Sequence, residues 1–291
     1  MQTSTNPSVS VIIPCYNGAE YIVSTIESVL NQAYEDFELI VIDDGSTDQT
    51  SEEINRVQDK RLKYFRTENQ GVSHARNYGI RESNGEFIAL LDADDLYLET
   101  NLKQKIQFLN NHKDIGLVHG SEMIFESVTE TTKSITKGLD GFVLPELLSL
   151  DKKVIHSPSS VVFRKKLIDQ AGSFDEQMSV AADWDMWVRL ARITNFGFID
   201  KPLTKYRLHQ NQMHSNISAM EKDMIYAFKK LEHERVWNEV MSKKTSKAKL
   251  FLTLGLCFIK DEPRYLRAIK YLLKSFVTSP QILFTYLRRK F

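Results

Sequence analysis

Cysteine is scarce: the 291 residues contain two, Cys15 and Cys257. They stand far apart in apolar surroundings, so neither a metal-ligand spacing nor a disulfide framework is suggested. Long apolar runs are absent as well. The longest, residues 250–259, falls well short of the roughly 20 residues that cross a bilayer. Residues 1–8 are polar and lack the apolar centre of a secretory signal. Charge of one sign is not in excess, since 38 Lys/Arg balance 38 Asp/Glu. That balance leaves no footprint for a nucleic-acid partner. No apolar run leads into a Gly-rich dinucleotide loop or a Walker motif, so the phosphates of a bound nucleotide need a metal and scattered side chains. The expectation is a cytosolic globular protein.

The length allows one large domain, or a domain with an appendage. A hydrophobic content of 42% and a charged content of 26% are ordinary for a folded chain. The zero net charge hides an asymmetry. Residues 218–291 carry 16 Lys/Arg against 7 Asp/Glu, a net +9, which leaves −9 on residues 1–217.

Residues 9–14, 37–42 and 62–66 read as buried strands, with Pro14 ending the first. Helical spacing over 20–31 follows the first strand, and Ser46 or Thr47 is placed to cap a helix running to 57. A further helix opens at Gly71. Strands and helices alternating over 9–96 predict an α/β fold with a doubly wound, mostly parallel central sheet flanked by helices. Beyond 96 the pattern changes to a helix near 99–111, a strand at 115–119, a polar loop or hairpin at 129–138 and a helix at 184–193.

Chemistry concentrates in three acidic clusters. Ile88-Ala89-Leu90-Leu91 suits a doubly buried strand, and Asp92-Ala93-Asp94-Asp95 follows at once. Like charges this close raise one another's pKa, a cost most readily accepted around a cation such as Mn or Mg. Alternatively, Asp94 and Asp95 cap the next helix and Asp92 is solvated. Asp43-Asp44 ends the second strand, where it can accept from a base N–H or a ribose hydroxyl, or simply build the turn Asp-Asp-Gly-Ser. Asp183, in Ala181-Ala182-Asp183-Trp184-Asp185, stands ahead of a helix, where it gains from the helix dipole and can serve as a cap. Trp184 and Trp187 can pack on sugar rings or in the core. Arg207 and His209 supply two cations for a diphosphate, and His156 and Ser159 are guesses for acceptor contacts.

Taken in order, SVIIPCYNG, ELIVIDDGSTDQT, NQGVSHARNYGI, GEFIALLDADD and AADWDMWVRL resemble glycosyltransferase family 2, inverting enzymes of the GT-A fold. The resemblance covers about residues 9–209. It implies that Asp44 binds the nucleotide base, with Pro14, Tyr16 and Asn17 lining the same pocket, and that Arg76 and Asn77 lie near the diphosphate. Asp92-Ala93-Asp94 looks like the family's DxD motif, with Asp92 toward the ribose, Asp94 ligating Mn2+ or Mg2+, and Asp95 in support. Asp183 matches the catalytic base, although Ala182 replaces the Glu that often precedes it. His209 would meet the diphosphate or the metal. The implied division is a GT-A domain over 1–217 (a nucleotide-binding half at about 9–96 and an acceptor half at about 97–217), then a basic amphipathic helical region over 218–291.

The function that follows is transfer from a nucleotide-sugar, UDP-linked by preference, to a glycan or lipid-linked glycan in cell-surface polysaccharide or glycolipid synthesis. The alternative is a nucleotide-sugar or glycan binder without turnover. A phosphoryl-accepting receiver leaves the third acidic cluster unexplained, and a nucleotidyltransferase lacks its Gly/Arg-rich loop. In the tail, Lys/Arg interleaved with Phe251, Phe258, Tyr265, Leu272, Phe276 and Tyr286 suit either an anionic membrane surface, on the inner face of the plasma membrane, or packing on protein.

Overall fold

The computed structural model describes residues 6–209, 216–233, 237, 240–260 and 263–290. Residues 1–5, which begin the polar start, and 210–215, which adjoin the expected boundary at 217, lie outside them. Four strands form the parallel part of the sheet: β1 (Val9–Cys15), β2 (Phe37–Asp43), β3 (Leu62–Arg66) and β4 (Phe87–Leu90), in the order β3-β2-β1-β4. Every residue of β1, β2 and β4 is buried, as their unbroken apolar runs require. The polar exceptions pair internally: Ser10 Oγ donates to Glu38 Oε1 at 2.6 Å. Helices α1 (Ile22–Leu30), α2 (Thr50–Arg56) and α3 (Val72–Glu82) make the crossovers.

Pro14 does not end β1. The strand continues to Cys15, because pairing with β4 has already stopped at Ile12 and the missing Pro14 N–H has no carbonyl to meet on that side. Neither Ser46 nor Thr47 caps α2. Its first turn is closed by Asp48, whose Oδ1 accepts the Thr50 N–H at 3.0 Å, and Ser46 Oγ instead accepts the Asn17 N–H at 2.9 Å.

Beyond β4 come β5 (Leu96–Tyr97), α4 (Asn101–Asn111), β6 (Ile115–Glu126), β7 (Thr132–Ile135), α5 (Leu144–Ser149), β8 (Val161–Arg164), α6 (Ile168–Ala171), α7 (Ala182–Ala191) and β9 (Asn195–Leu208). The sheet extends as β4-β8-β6-β9-β5, with β7 paired to β6 as the expected hairpin. Here the sheet is mixed. β8 runs antiparallel to β4 and β6, whereas β6 and β9 are parallel. Strand order reverses at β1 and β4, which places a crevice beyond their carboxyl ends.

Among the described residues four helices follow: α8 (Ile217–Lys230), α9 (Lys243–Lys260), α10 (Tyr265–Thr278) and α11 (Pro280–Lys290). One apolar cluster runs from Ile12 and Leu90 through Trp187 to Phe228, Leu254 and Phe258, so α8 and α9 share the core beneath the sheet.

Gly79 lets α3 lie close on β1. A Cβ there would stand 2.5 Å from Ile12 Cγ2. In an open helix, Gly to Ala gains about 1 kcal/mol. Gly79→Ala is expected to lose about 1–3 kcal/mol instead, as overpacking does, measured by urea unfolding. A gain would mean that the contact relaxes.

Candidate active site

The site begins where β4 ends. Asp95 is fully buried and takes no part in capping, since α4 starts at Asn101 with Thr100 as its cap residue. One of its oxygens accepts the Arg207 N–H of β9 at 2.9 Å, and the other accepts Ser159 Oγ at 2.6 Å. Ser159 Oγ in turn accepts the Asp92 N–H at 3.0 Å. From α1, Thr25 Oγ1 donates to the carbonyls of Ala93 (2.8 Å) and Asp95 (2.9 Å). Burial, then the charges of Asp94 and Asp92, push the Asp95 pKa well above the carboxylate range. Asp95 therefore fastens the turn, and Ala93 contributes backbone alone.

That fastening turns Asp92 and Asp94 outward, with side chains 28% and 30% exposed. Asp92 Oδ1 accepts from Arg76 Nη2 at 2.8 Å. Arg76 is buried on α3, and its Nε has no hydrogen-bond partner. A buried donor without a partner is costly, and among the described residues the adjoining Asp92 carboxylate is the one acceptor of this guanidinium. Asp94 Oδ2 lies 2.8 Å from His209 Nε2. Two donor atoms at right angles on one small divalent ion, each about 2.1 Å from it, would stand about 3 Å apart. In this structure Asp94 and His209 share a hydrogen bond, so Mn2+ or Mg2+ would take both only with the proton between them displaced. Among the described residues no group of three His, Cys, Asp or Glu could hold an ion alone, so the remaining positions would fall to ligand oxygens and water.

Arg207, expected as a second diphosphate cation, is buried. Its Nε donates to the Asp94 carbonyl at 2.7 Å, and its guanidinium lies over the Tyr21 and Phe125 rings. Ser159, a guessed acceptor contact, is buried in the carboxylate turn. The Asn77 amide donates to the Phe174 carbonyl (2.9 Å) and Glu176 Oε1 (2.8 Å) and accepts the Phe174 N–H (2.9 Å). It anchors residues 174–176.

Asp44 is buried and accepts the N–H groups of Gln70 (3.0 Å) and Gly71 (2.7 Å). It thus orders the loop that launches α3 and Arg76. Gly71, at φ +94°, gives that loop a conformation that side chains resist. Asp43 forms the turn, accepting the Ser46 N–H at 2.8 Å and the Tyr64 hydroxyl at 3.0 Å. Pro14 is buried, and Tyr16 is half exposed. Asn17 takes the Thr47 N–H on Oδ1 at 2.8 Å, tying the β1 and β2 loops together.

Asp183 sits in the first turn of α7, half-buried. It is not the cap; its Oδ1 accepts the adjacent Trp184 N–H at 2.7 Å. Burial raises its pKa above the ordinary carboxylate value, opposed first by Arg76 and then assisted by Asp92. The third acidic cluster therefore lies within the field of the second. Cys15 links the first: burial, then Asp43, Asp48 and Asp94, push its thiol up to about 12, and its carbonyl accepts the Asp44 N–H at 2.8 Å. Trp184 offers no sugar platform, because it stacks on Phe228 (5.5 Å between centroids) and donates Nε1–H to the Leu147 carbonyl at 3.1 Å. Trp187 is core, 2% exposed.

The family model described as "Glycosyl transferase family 2" matches residues 10–172. The chain belongs to glycosyltransferase family 2. It is 32% identical over 271 residues to an uncharacterized glycosyltransferase of Rickettsia felis, covering 90% of this chain but 44% of that protein. A Rickettsia prowazekii glycosyltransferase, also uncharacterized, is 30% identical over 277 residues, 92% of this chain and 82% of its own. Among solved structures, S. aureus TarS 1-349 in complex with UDP-GlcNAc superposes with a TM-score of 0.66 at 19% identity, over 93% of this chain and 81% of that one. The mannosyltransferase PcManGT from Pyrobaculum calidifontis, in complex with GDP-Man and Mn2+, gives 0.64 at 18%, over 99% and 82%. The fold is GT-A.

Two parts of this family 2 site escaped the sequence reading. The turn leading into α7 is held from the tail: Asp223 of α8 accepts the N–H groups of Ser179 (2.8 Å) and Ala181 (3.1 Å). No local signal marks that contact, which spans 42 residues of chain. Second, the fully buried Glu122 of β6 accepts from Ser157 Oγ and lies 2.8 Å from His156 Nδ1. The His156 ring meets Tyr206 edge-on at 5.3 Å. Nearby, Lys105 of α4 is fully buried without a hydrogen-bond partner.

Burial pulls the Lys105 pKa down to about 7, against the charge of Glu122, from 10.5 when exposed. Between those values the unfolded chain binds more protons, so stability rises with pH across that window and the cost of the charged form is complete below pH 7. Lys105→Met is expected to raise Tm below pH 7, with the gain shrinking toward pH 10. A pH-independent change would show that Lys105 carries no such cost.

Proposed function

We propose that the chain transfers a sugar from a nucleotide-sugar to a hydroxyl of a glycan or lipid-linked glycan, with inversion, on the cytoplasmic side of cell-surface polysaccharide or glycolipid synthesis. The observation that carries this reading is Asp183. It is a carboxylate of raised pKa, in the first turn of α7 and in the field of the Asp92–Arg76 pair. The acceptor O–H gives its proton to the Asp183 carboxylate as its oxygen bonds to the anomeric carbon. The bond from that carbon to the diphosphate oxygen breaks, and the nucleoside diphosphate leaves with the electron pair. One displacement inverts the centre, and no covalent intermediate forms.

Arg76, with its open Nε, faces the departing diphosphate, and Asp92 orients Arg76 and the ribose side. Asp94 and His209 would hold Mn2+ or Mg2+, which when bound stabilises negative charge on the leaving group. UDP-sugars are the first donors to test. Asp44 already accepts N–H donors, as a uracil ring offers, and the TarS neighbours are in complex with UDP and UDP-GlcNAc. GDP-linked sugars come second, since PcManGT is in complex with GDP-Man. The chain spans less than half of the Rickettsia felis relative, so the acceptor of a longer relative is not carried over.

Asp183→Asn is expected to keep nucleoside diphosphate affinity within about twofold while transfer falls by at least about 100-fold. A carboxylate whose pKa rises on folding destabilises the folded state above that pKa, so the variant should not lose Tm at neutral pH. A lower Tm would assign Asp183 to the fold. In wild type, kcat/KM should fall as pH drops through the raised Asp183 value, with an acid limb above the usual aspartate range. Nucleotide-sugar binding without release of nucleoside diphosphate, across metals and acceptors, would favour the binder.

A further inference from the structure

The tail divides. Phe258 is fully buried, and Phe251 and Leu272 are partly buried against their neighbours, so α8 and α9 present no apolar membrane face. The face expected over 218–291 contracts to α10 and α11. On α10, Ala268, Tyr271 and Ser275 point inward: Ser275 Oγ donates to the Ala248 carbonyl at 2.7 Å, and Tyr271 stacks on Phe258. The other face is bare. Leu266 is 87% exposed, Ile269 54%, Leu273 58% and Val277 80%, spaced as one helical stripe. Phe276 and Phe284 meet edge to face at 6.1 Å, which carries the stripe across the turn to Leu287 on α11. Monomers rarely leave a contiguous apolar surface of this kind uncovered.

We infer that α10 and α11 lie on an anionic lipid surface. From 263 to 291 the chain holds seven Lys/Arg and no Asp or Glu. Arg267 pairs with Glu221 of α8 at 3.2 Å, whereas Lys270, Lys274 and Arg288 are exposed alongside the apolar stripe. That is the composition of a helix seated at an interface, apolar side chains among the acyl chains and cations at the headgroups. A second copy is a poor occupant, because a twofold contact would set two acid-free basic segments face to face. Charge thus selects lipid over self-association. The docking is independent of the catalytic reading and is measured by binding alone.

Sedimentation of the whole chain with vesicles tests it. With vesicles of phosphatidylcholine containing about one-third phosphatidylglycerol, binding should exceed that to phosphatidylcholine alone by at least about tenfold, and should weaken in about 0.5 M salt. The variant Leu266→Asp/Leu273→Asp/Val277→Asp alters exposed positions only. It should keep Tm and lose vesicle binding. Equal binding to both vesicle types, or a variant that binds as wild type does, overturns the inference. So does a dimer by light scattering that the same variant dissolves, since the stripe would then be an interface between copies.

Discussion

Asp95 is the constraint on which the site rests. A carboxylate buried beside two others is costly unless its lone pairs are filled. Here the Arg207 N–H and the Ser159 hydroxyl fill them, one from the far strand β9 and one from the turn before β8. The same bonds hold the end of β4 against both halves of the sheet. Asp92 and Asp94 face the crevice because Asp95 cannot. The Ser159 hydroxyl joins the Asp95 carboxylate to the Asp92 N–H, so backbone and carboxylate share one network.

The tail serves the same end from below. α8 holds the turn before α7 through Asp223 and lays Phe228 against Trp184, and Lys230 bonds to both Asp175 and Asp185. The helix carrying Asp183 is thus braced by a segment outside the motifs that carry the family resemblance. Ala182, where family members often have Glu, is fully buried. A charged side chain at that place would need room and partners that this packing does not provide.

Parts of this were legible early. Unbroken apolar runs announced β1, β2 and β4, because a parallel sheet covered on both faces admits little else. Asp-Ala-Asp-Asp after such a run announced a site. Misreadings came where one side chain has two uses: Pro14 as terminator and Ser46 as helix cap. In each, a partner distant in the chain decided the outcome. Remote partners also engage Asn77, from 97 positions away, and Arg207, from 113.

The amino-acid order determined which residue types follow which strands, the helical period of each apolar stripe, and a final segment with cations and no anions. These are local properties, written in type and spacing. Tertiary structure decided which carboxylates are filled by hydrogen bonds and which stay open, and which face of each tail helix is covered. Both depend on donors and surfaces brought from remote parts of the chain, and a short window of sequence contains neither.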